Sequence, residues 1–282
     1  MGIDYASVAS AIRTYAQVLN SLYNAIVSLL CNTSFIDSIM TDESLKSLMS
    51  IIKGTAITLC VLFFLIDFFS KTMHLQWVTW ENVLMLCLKL TVAKLAVDNA
   101  EWITTTIYSG FTELASSISA SRFVGEFIPT TSDMYSFFLT SDEVAKLYEE
   151  PSWFLDLSPM FTMTKVNILG WIMIIIMYVA NIVVIGRMFE LTVYTIIAPI
   201  PLSTLACDGL QDIGKNFLKS YAAVTLQAIV LIIMFLAFNA VQDMDLIAAL
   251  SLDGWRAMVL VLTLGLCVMQ SGSWAKRITG AM

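Results

Sequence analysis

Val8, Ile12, Tyr15, Leu19, Leu22, Ile26 and Leu29 recur at alternating steps of four and three. That spacing lays one apolar stripe along a helix over residues 5–31. Arg13, Gln17, Asn20 and Asn24 fall off the stripe. Two readings of it stand. The helix lies on the membrane surface or on its own bundle, or the stripe is a seam for a second copy or a partner.

Beyond residue 50 the pattern changes from periodic to continuous. Residues 54–69 are an apolar run that Leu48–Ile52 extends backwards past Lys53, giving a first membrane span. Asp67 and Lys71, four apart near its far end, suit an interfacial ion pair. A short polar hairpin leads to a second span over 77–97, with Trp77 and Trp80 as interfacial anchors. Lys89 and Lys94 fall inside this run. An ammonium facing lipid is costly, so each faces the bundle or water, or snorkels. Lys94 has Asp98 within reach, whereas Lys89 has no local partner.

Residues 98–165 form a long acidic, aromatic connection. Its length predicts internal helices. One is expected after Thr140, where Thr140 and Glu143 make a capping box and Pro151 supplies a stop. The aromatics, Phe123, Trp153 and Phe154 among them, suggest contact with the membrane interface or with partners.

Residues 166–185 are the clearest span. Gly186 and Arg187 interrupt it, and apolar sequence resumes to Leu205. This predicts either a tight helical hairpin or a span followed by a broken half-span. Residues 217–241 and 257–270 are the last two runs, giving six apolar segments.

The break lies in "APIP". Pro199 and Pro201 lack a backbone donor and free the carbonyls of Thr195 and Ile197. In lipid such groups need neighbouring helices, hydroxyls or water. "APIP" therefore ends a half-helix near mid-membrane or kinks a full span, and it is a hinge or lining element of a conduit or a tolerated kink. Arg187 and Glu190, three apart on the same element, can neutralise each other.

Composition agrees with the pattern. Of 282 residues, 58% are hydrophobic and 13% charged, against about half and a quarter in soluble domains. The fold class is all-α: a polytopic helical membrane protein with an amphipathic N-terminal helix and a proline-broken intramembrane segment. Along the chain, residues 1–53 are the amphipathic helical region and 54–97 a first transmembrane pair. Residues 98–165 are the connection and 166–282 a C-terminal transmembrane bundle. The net charge of −7 and the lack of a Lys/Arg run argue against a basic nucleic-acid face.

The five cysteines are scattered without a CxxC, and His74 is the sole histidine, so a metal site has little to draw on. The start "MGIDYASVAS" lacks the pattern of a cleaved signal, and Ala6 stands where myristoylation wants Ser or Thr. "GLQDIGKN" has P-loop spacing, but Asn216 replaces the Ser or Thr and no βαβ unit surrounds it. No enzyme motif and no cofactor site is present.

With six spans and both termini cytoplasmic, ten Lys/Arg lie inside and three outside. Discounting Arg13, Arg122 and Lys146, which are far from a span end, leaves seven against three.

"RMFELTVYTIIAPIPLSTLA", "GKNFLKSYAAVTLQAIVLIIMFLAF" and the tail "SGSWAKRITGAM" resemble the TrbL-type polytopic subunit of conjugative type IV secretion systems. The likeness is to the short form of Gram-positive integrative conjugative elements, and it covers roughly residues 165–282 well. The resemblance implies a non-enzymatic channel or scaffold subunit in the bacterial cytoplasmic membrane. It would assemble in several copies with other secretion components, among membrane lipid, and help pass a DNA–protein substrate, touching DNA at most indirectly. No soluble small-molecule substrate is expected. Such subunits usually have an outside N-terminus and a large outside loop, opposite to the charge count, so sidedness stays open. The alternative is a secondary transporter or pore for a small solute or ion, which would favour two matching broken halves. A third reading, a membrane-perturbing toxin or holin, needs fewer spans than these.

Overall fold

The computed structural model describes residues 5–73, 80–120, 127–128, 133–148, 158–242 and 256–281. Every element among them is helical: α1 (Tyr5–Leu30), α2 (Phe35–Met40), α3 (Glu43–Met73), α4 (Trp80–Asp98), α5 (Ala100–Ala120), α6 (Asp133–Phe138), α7 (Ser141–Lys146), α8 (Ser158–Ile197), α9 (Pro199–Ser203), a 3-10 turn (Thr204–Ala206), α10 (Gln211–Gln242) and α11 (Arg256–Thr279). His74, Trp77, Arg122, Phe123, Pro151, Trp153 and Phe154, and with them the hairpin before α4, lie outside the described residues.

Among the described residues four helices are long and apolar enough to cross a membrane: Glu43–Thr72, Ser158–Ala206, Gln211–Phe238 and Met258–Thr279. The chain is an all-α polytopic membrane protein. Two of the six expected segments differ in detail. Residues 80–97 of the 77–97 run lie in α4, which carries Glu81, Lys89, Lys94 and Asp98 and is not among these four. The 166–185 and 188–205 runs are not a hairpin, because α8 runs unbroken through Gly186 and Arg187 for 40 residues. One glycine inside a helix costs only about 1 kcal/mol, less than the hydrogen bonds a break in lipid would orphan. At ~60 Å, α8 is about twice the hydrocarbon thickness.

The chain folds as two compact units built from non-adjacent stretches. Unit 1 is Met1–Cys31, Ala115–Ile185 and Val230–Ser271, and unit 2 is Asn32–Leu114, Gly186–Ile229 and Gly272–Met282.

In unit 1, α1 buries Val8, Ile12, Ala16, Leu19, Asn20, Tyr23, Ile26 and Leu30. Tyr23 meets the rings of Phe127 and Phe235 at 5.7 and 5.2 Å, and Phe127 stacks on Phe238 at 5.1 Å. Burial pushes the Tyr23 hydroxyl up to about 12, with a smaller push from Cys31. Asn20 closes a two-way bond with the Ile128 backbone, donating to its carbonyl and accepting from its N–H, both at 2.9 Å. Gly170 lets Tyr15 lie against α8, where a Cβ would come within 2.6 Å of the ring. Tyr15 also donates to Asn167 at 3.1 Å. The helix expected after Thr140 is α7. The Thr140 N–H donates to Glu143 at 3.0 Å, completing the capping box, and the helix has ended by Lys146, short of Pro151.

In unit 2, Ile36, Met40, Met49, Tyr108, Leu191, Ile196, Tyr221 and Val224 form one apolar cluster. α11 ends there with Gly280 at φ 63°. The Ala281 N–H donates to Lys276 O and the Gly280 N–H to Arg277 O, a Schellman close that needs the left-handed residue glycine supplies.

Candidate functional site

The proline-broken stretch 198–208 lies within unit 2. α8 stops at Ile197 because Pro199 and Pro201 cannot donate to the carbonyls behind them. Ala198 keeps right-handed helical angles (φ −44°, ψ −39°), and Pro199 takes the first position of α9, where its missing N–H costs nothing. The chain therefore kinks rather than turns back. Hydroxyls serve the bend: Ser203 donates to Ile200 O at 2.6 Å and Thr204 to Pro201 O at 2.7 Å.

Small residues let this arm approach its neighbours. Ala198 and Leu202 pack with Ala56 of α3 and with Val97 and Ala100. One to two turns on, Ala206 packs with Cys60 of α3 and Ala93 of α4. Pro199, Leu202, Ser203, Thr204 and Ala206 are all buried. This is the close helix packing that membrane proteins build from small side chains. α10 approaches from another side through Gly214, where a Cβ would sit 2.9 Å from Pro201 O. The glycine in the P-loop-like stretch is thus a packing residue.

Charges gather just past the arm. Asp208 accepts from Lys89 Nζ at 2.6 Å, from Lys71 Nζ, and from Gln211 Nε2 at 2.7 Å. Lys71 also donates to Asp67 at 2.7 Å. Two carboxylates and two ammoniums from α3, α4 and the 207–210 loop neutralise one another. Hydrogen bonds from Lys71 and Lys89 hold the Asp208 carboxyl below the usual carboxylate range.

A second polar group lies at the start of unit 2's share of α8. The Arg187 guanidinium, with only 12% of its side chain exposed, stands 3.9 Å from Glu190 and donates to Val224 O of α10 at 3.2 Å. Gly272 makes room for it, since a Cβ there would come within 3.4 Å of Arg187 and 3.0 Å of the buried Gln227. In the same unit Thr195 and Tyr221 hydrogen-bond at 3.2 Å.

Pro199, Pro201, Arg187, Glu190 and Lys89 thus share one unit with the charge cluster. Lys94, in the same unit, does not join the cluster. The expected Lys94–Asp98 pair is corrected: Asp98 pairs with Lys53 of α3 at 3.5 Å, with Lys53 Nζ 2.8 Å from Asp98 O, and Lys94 is exposed. Of the two readings of the α1 stripe, the burial agrees with packing on the chain's own bundle. Val8, Ile12, Leu19 and Ile26 have 0% exposure in the single chain, so unit 1 itself covers them. Tyr15, Leu22 and Leu29 are half-buried at the edge of that face. Sequence reasoning missed Asp208, Gly214 and Gln227. The signal for Asp208 was available: a lysine stranded in an apolar run needs a counter-charge, and Asp208 is the lone acid in "LSTLACDGL". Among the described residues no cluster of His, Cys, Asp and Glu is set to hold a metal ion.

Fold and site together define a helical membrane protein whose proline-broken backbone is enclosed by protein and whose Lys71, Lys89 and Arg187 are paired. A family model of the TrbL/VirB6 plasmid conjugal transfer protein matches residues 76–271, and the chain belongs to that family. It is therefore a component of conjugative type IV secretion, a structural one by family. No curated protein and no solved structure matches it.

Proposed function

We propose that this chain is a non-enzymatic channel or scaffold subunit of a conjugative type IV secretion system. It spans the bacterial cytoplasmic membrane several times and helps move a DNA–protein substrate. It assembles in several copies with other secretion components, and its contact with DNA is at most indirect. One observation carries the reading: the Pro199–Ala206 arm, with paired charges at its end, is packed between helices in a chain of this family. Irregular backbone at membrane depth belongs where protein or an aqueous path shelters it. A solute transporter would favour a second, matching break, and among the described residues helix interruption by proline occurs at 199–201 alone.

The test is the mass of the tagged full chain in mild detergent, purified from its own host, by native mass spectrometry. A closed assembly of several copies carrying secretion proteins is the expected result. A lone monomer or dimer with no secretion component would overturn it. In parallel, Pro199→Ala with Pro201→Ala should block conjugal transfer while leaving the assembly mass unchanged. Normal transfer would reduce the prolines to tolerated kinks.

A further inference from the structure

We infer that the 199–206 arm is a removable plug seated against α3 and α4, and that Asp208 is the positioning residue that latches it there. This rests on the reading of the arm as the working part of a conduit subunit.

Three features of unit 2 combine. First, the arm has a hinge at its near end. The two prolines leave the 198–201 backbone with fewer helical hydrogen bonds than the helix on either side. Second, the arm's seat is lined by Ala56, Cys60, Ala93 and Val97. Short side chains at its centre let the backbones approach closely, with Ile57, Phe63 and Leu90 packed around them. Third, the far end is held by charge. Asp208 pairs with Lys71 of α3 and with Lys89 of α4. Asp67 already partners Lys71, so loss of Asp208 would strand Lys89 while leaving Lys71 neutralised. The arm thus has a hinged end, a seat centred on small residues and an electrostatic clasp.

The clasp is also the exposed part of the assembly. The side chains of Asp208, Lys71 and Lys89 keep 39%, 20% and 26% of their surface, whereas the seat is closed. Ions or an acidic or basic partner segment can compete for these pairs without entering the seat. Salt screens pairs of this exposure. Secretion partners of the same machine could work the latch by offering a carboxylate to Lys89 or an ammonium to Asp208.

The native cysteines report the movement. Cys207 is buried next to Asp208, and Cys60 is buried in the seat on α3. Full-length chains keeping only Cys207, or only Cys60, would be treated in host membranes with a small thiol-reactive maleimide. Both thiols should react slowly in the parent. With Asp208→Asn, Cys207 should react about tenfold faster or more, as expected when charge-assisted bonds are lost, and Cys60, uncovered as the arm leaves its seat, should gain with it. Asp208→Glu should restore protection, and about 1 M salt should mimic Asp208→Asn in part. Unchanged Cys207 labelling in Asp208→Asn would overturn the latch. A gain at Cys207 with none at Cys60 would also overturn it, because the seat would then still be covered. Neither outcome depends on transfer. A chain that passes this test but transfers normally with both prolines replaced would fail as a conduit and still possess the latch.

Discussion

Helix α1 in unit 1 and the α9 arm in unit 2 are both covered on several sides, yet different forces hold them. α1 is seated by bulk. Tyr23 is wedged against Phe127 and Phe235, and hydrogen bonds such as Asn20 with Ile128 and Tyr15 with Asn167 add to the hold. The arm is seated by smallness, with alanines against alanines, and its polar contact is ionic. Large rings interdigitate and fix one arrangement, because any shift opens a void. Small residues at the centre of a seat gain less per contact and tolerate displacement, so the arm relies on a clasp at its end. Within one chain, the same apolar alphabet builds an anchored helix and a releasable one.

The largest break in that contrast should come from the aromatic cluster. Phe235→Ala removes the ring against Tyr23 and Phe127 and should cost about 3–5 kcal/mol. Thermal unfolding of the detergent-solubilised chain would register it as a clear fall in Tm. An unchanged Tm would mean that the rings pack loosely and that the contrast fails. Next comes Gly214→Val, which drives a branched side chain into Pro201 O. Overpacking of this kind costs about 1–3 kcal/mol. Here the arm should yield before the fold does, so Cys207 labelling should rise at a temperature where the far-ultraviolet circular dichroism is unchanged.

The smallest effect should belong to the part-buried ion pair of unit 1. Lys165 lies 2.8 Å from Glu143. Burial opposes the Glu143 charge, but Lys165 and the Thr140 N–H outweigh it and hold the carboxyl below its usual range. A lowered folded value gives stability that is fully present above the unfolded value of about 4.3 and is lost as pH falls through the folded value. The pair is worth at most ~1 kcal/mol. The Tm difference between the parent and Glu143→Gln should be small at pH 7 and vanish near pH 3. A difference that persists at pH 3 would assign the effect to packing.

Much of the architecture was legible because its causes are local. A run such as 166–185 has no solution in water or lipid except a helix, and the 4-3 spacing from Val8 to Ile26 marks a buried face whatever it packs on. Thr140 and Glu143 sit in the spacing of a capping box, and the box formed. The break at Pro199 followed from a missing N–H. What was misjudged depended on neighbours. Gly186 and Arg187 suggested an interruption, but the helix continued because Arg187 found Val224 O and Glu190. Lys94 had a carboxylate four residues on, but Lys53 of another helix took it.

Sequence alone therefore determined that this chain is a helical membrane protein, where its backbone must bend, and which charges could not face lipid. Hydrogen-bond count, side-chain volume and desolvation are properties of short stretches, and they act the same in any fold. Tertiary structure decided which face α1 covers, which helices seat the proline arm, and that Asp208, 119 residues from Lys89 in the chain, is its counter-charge. A pairing between distant residues carries no periodicity and no spacing, and it exists only once the helices that bear it have been brought together.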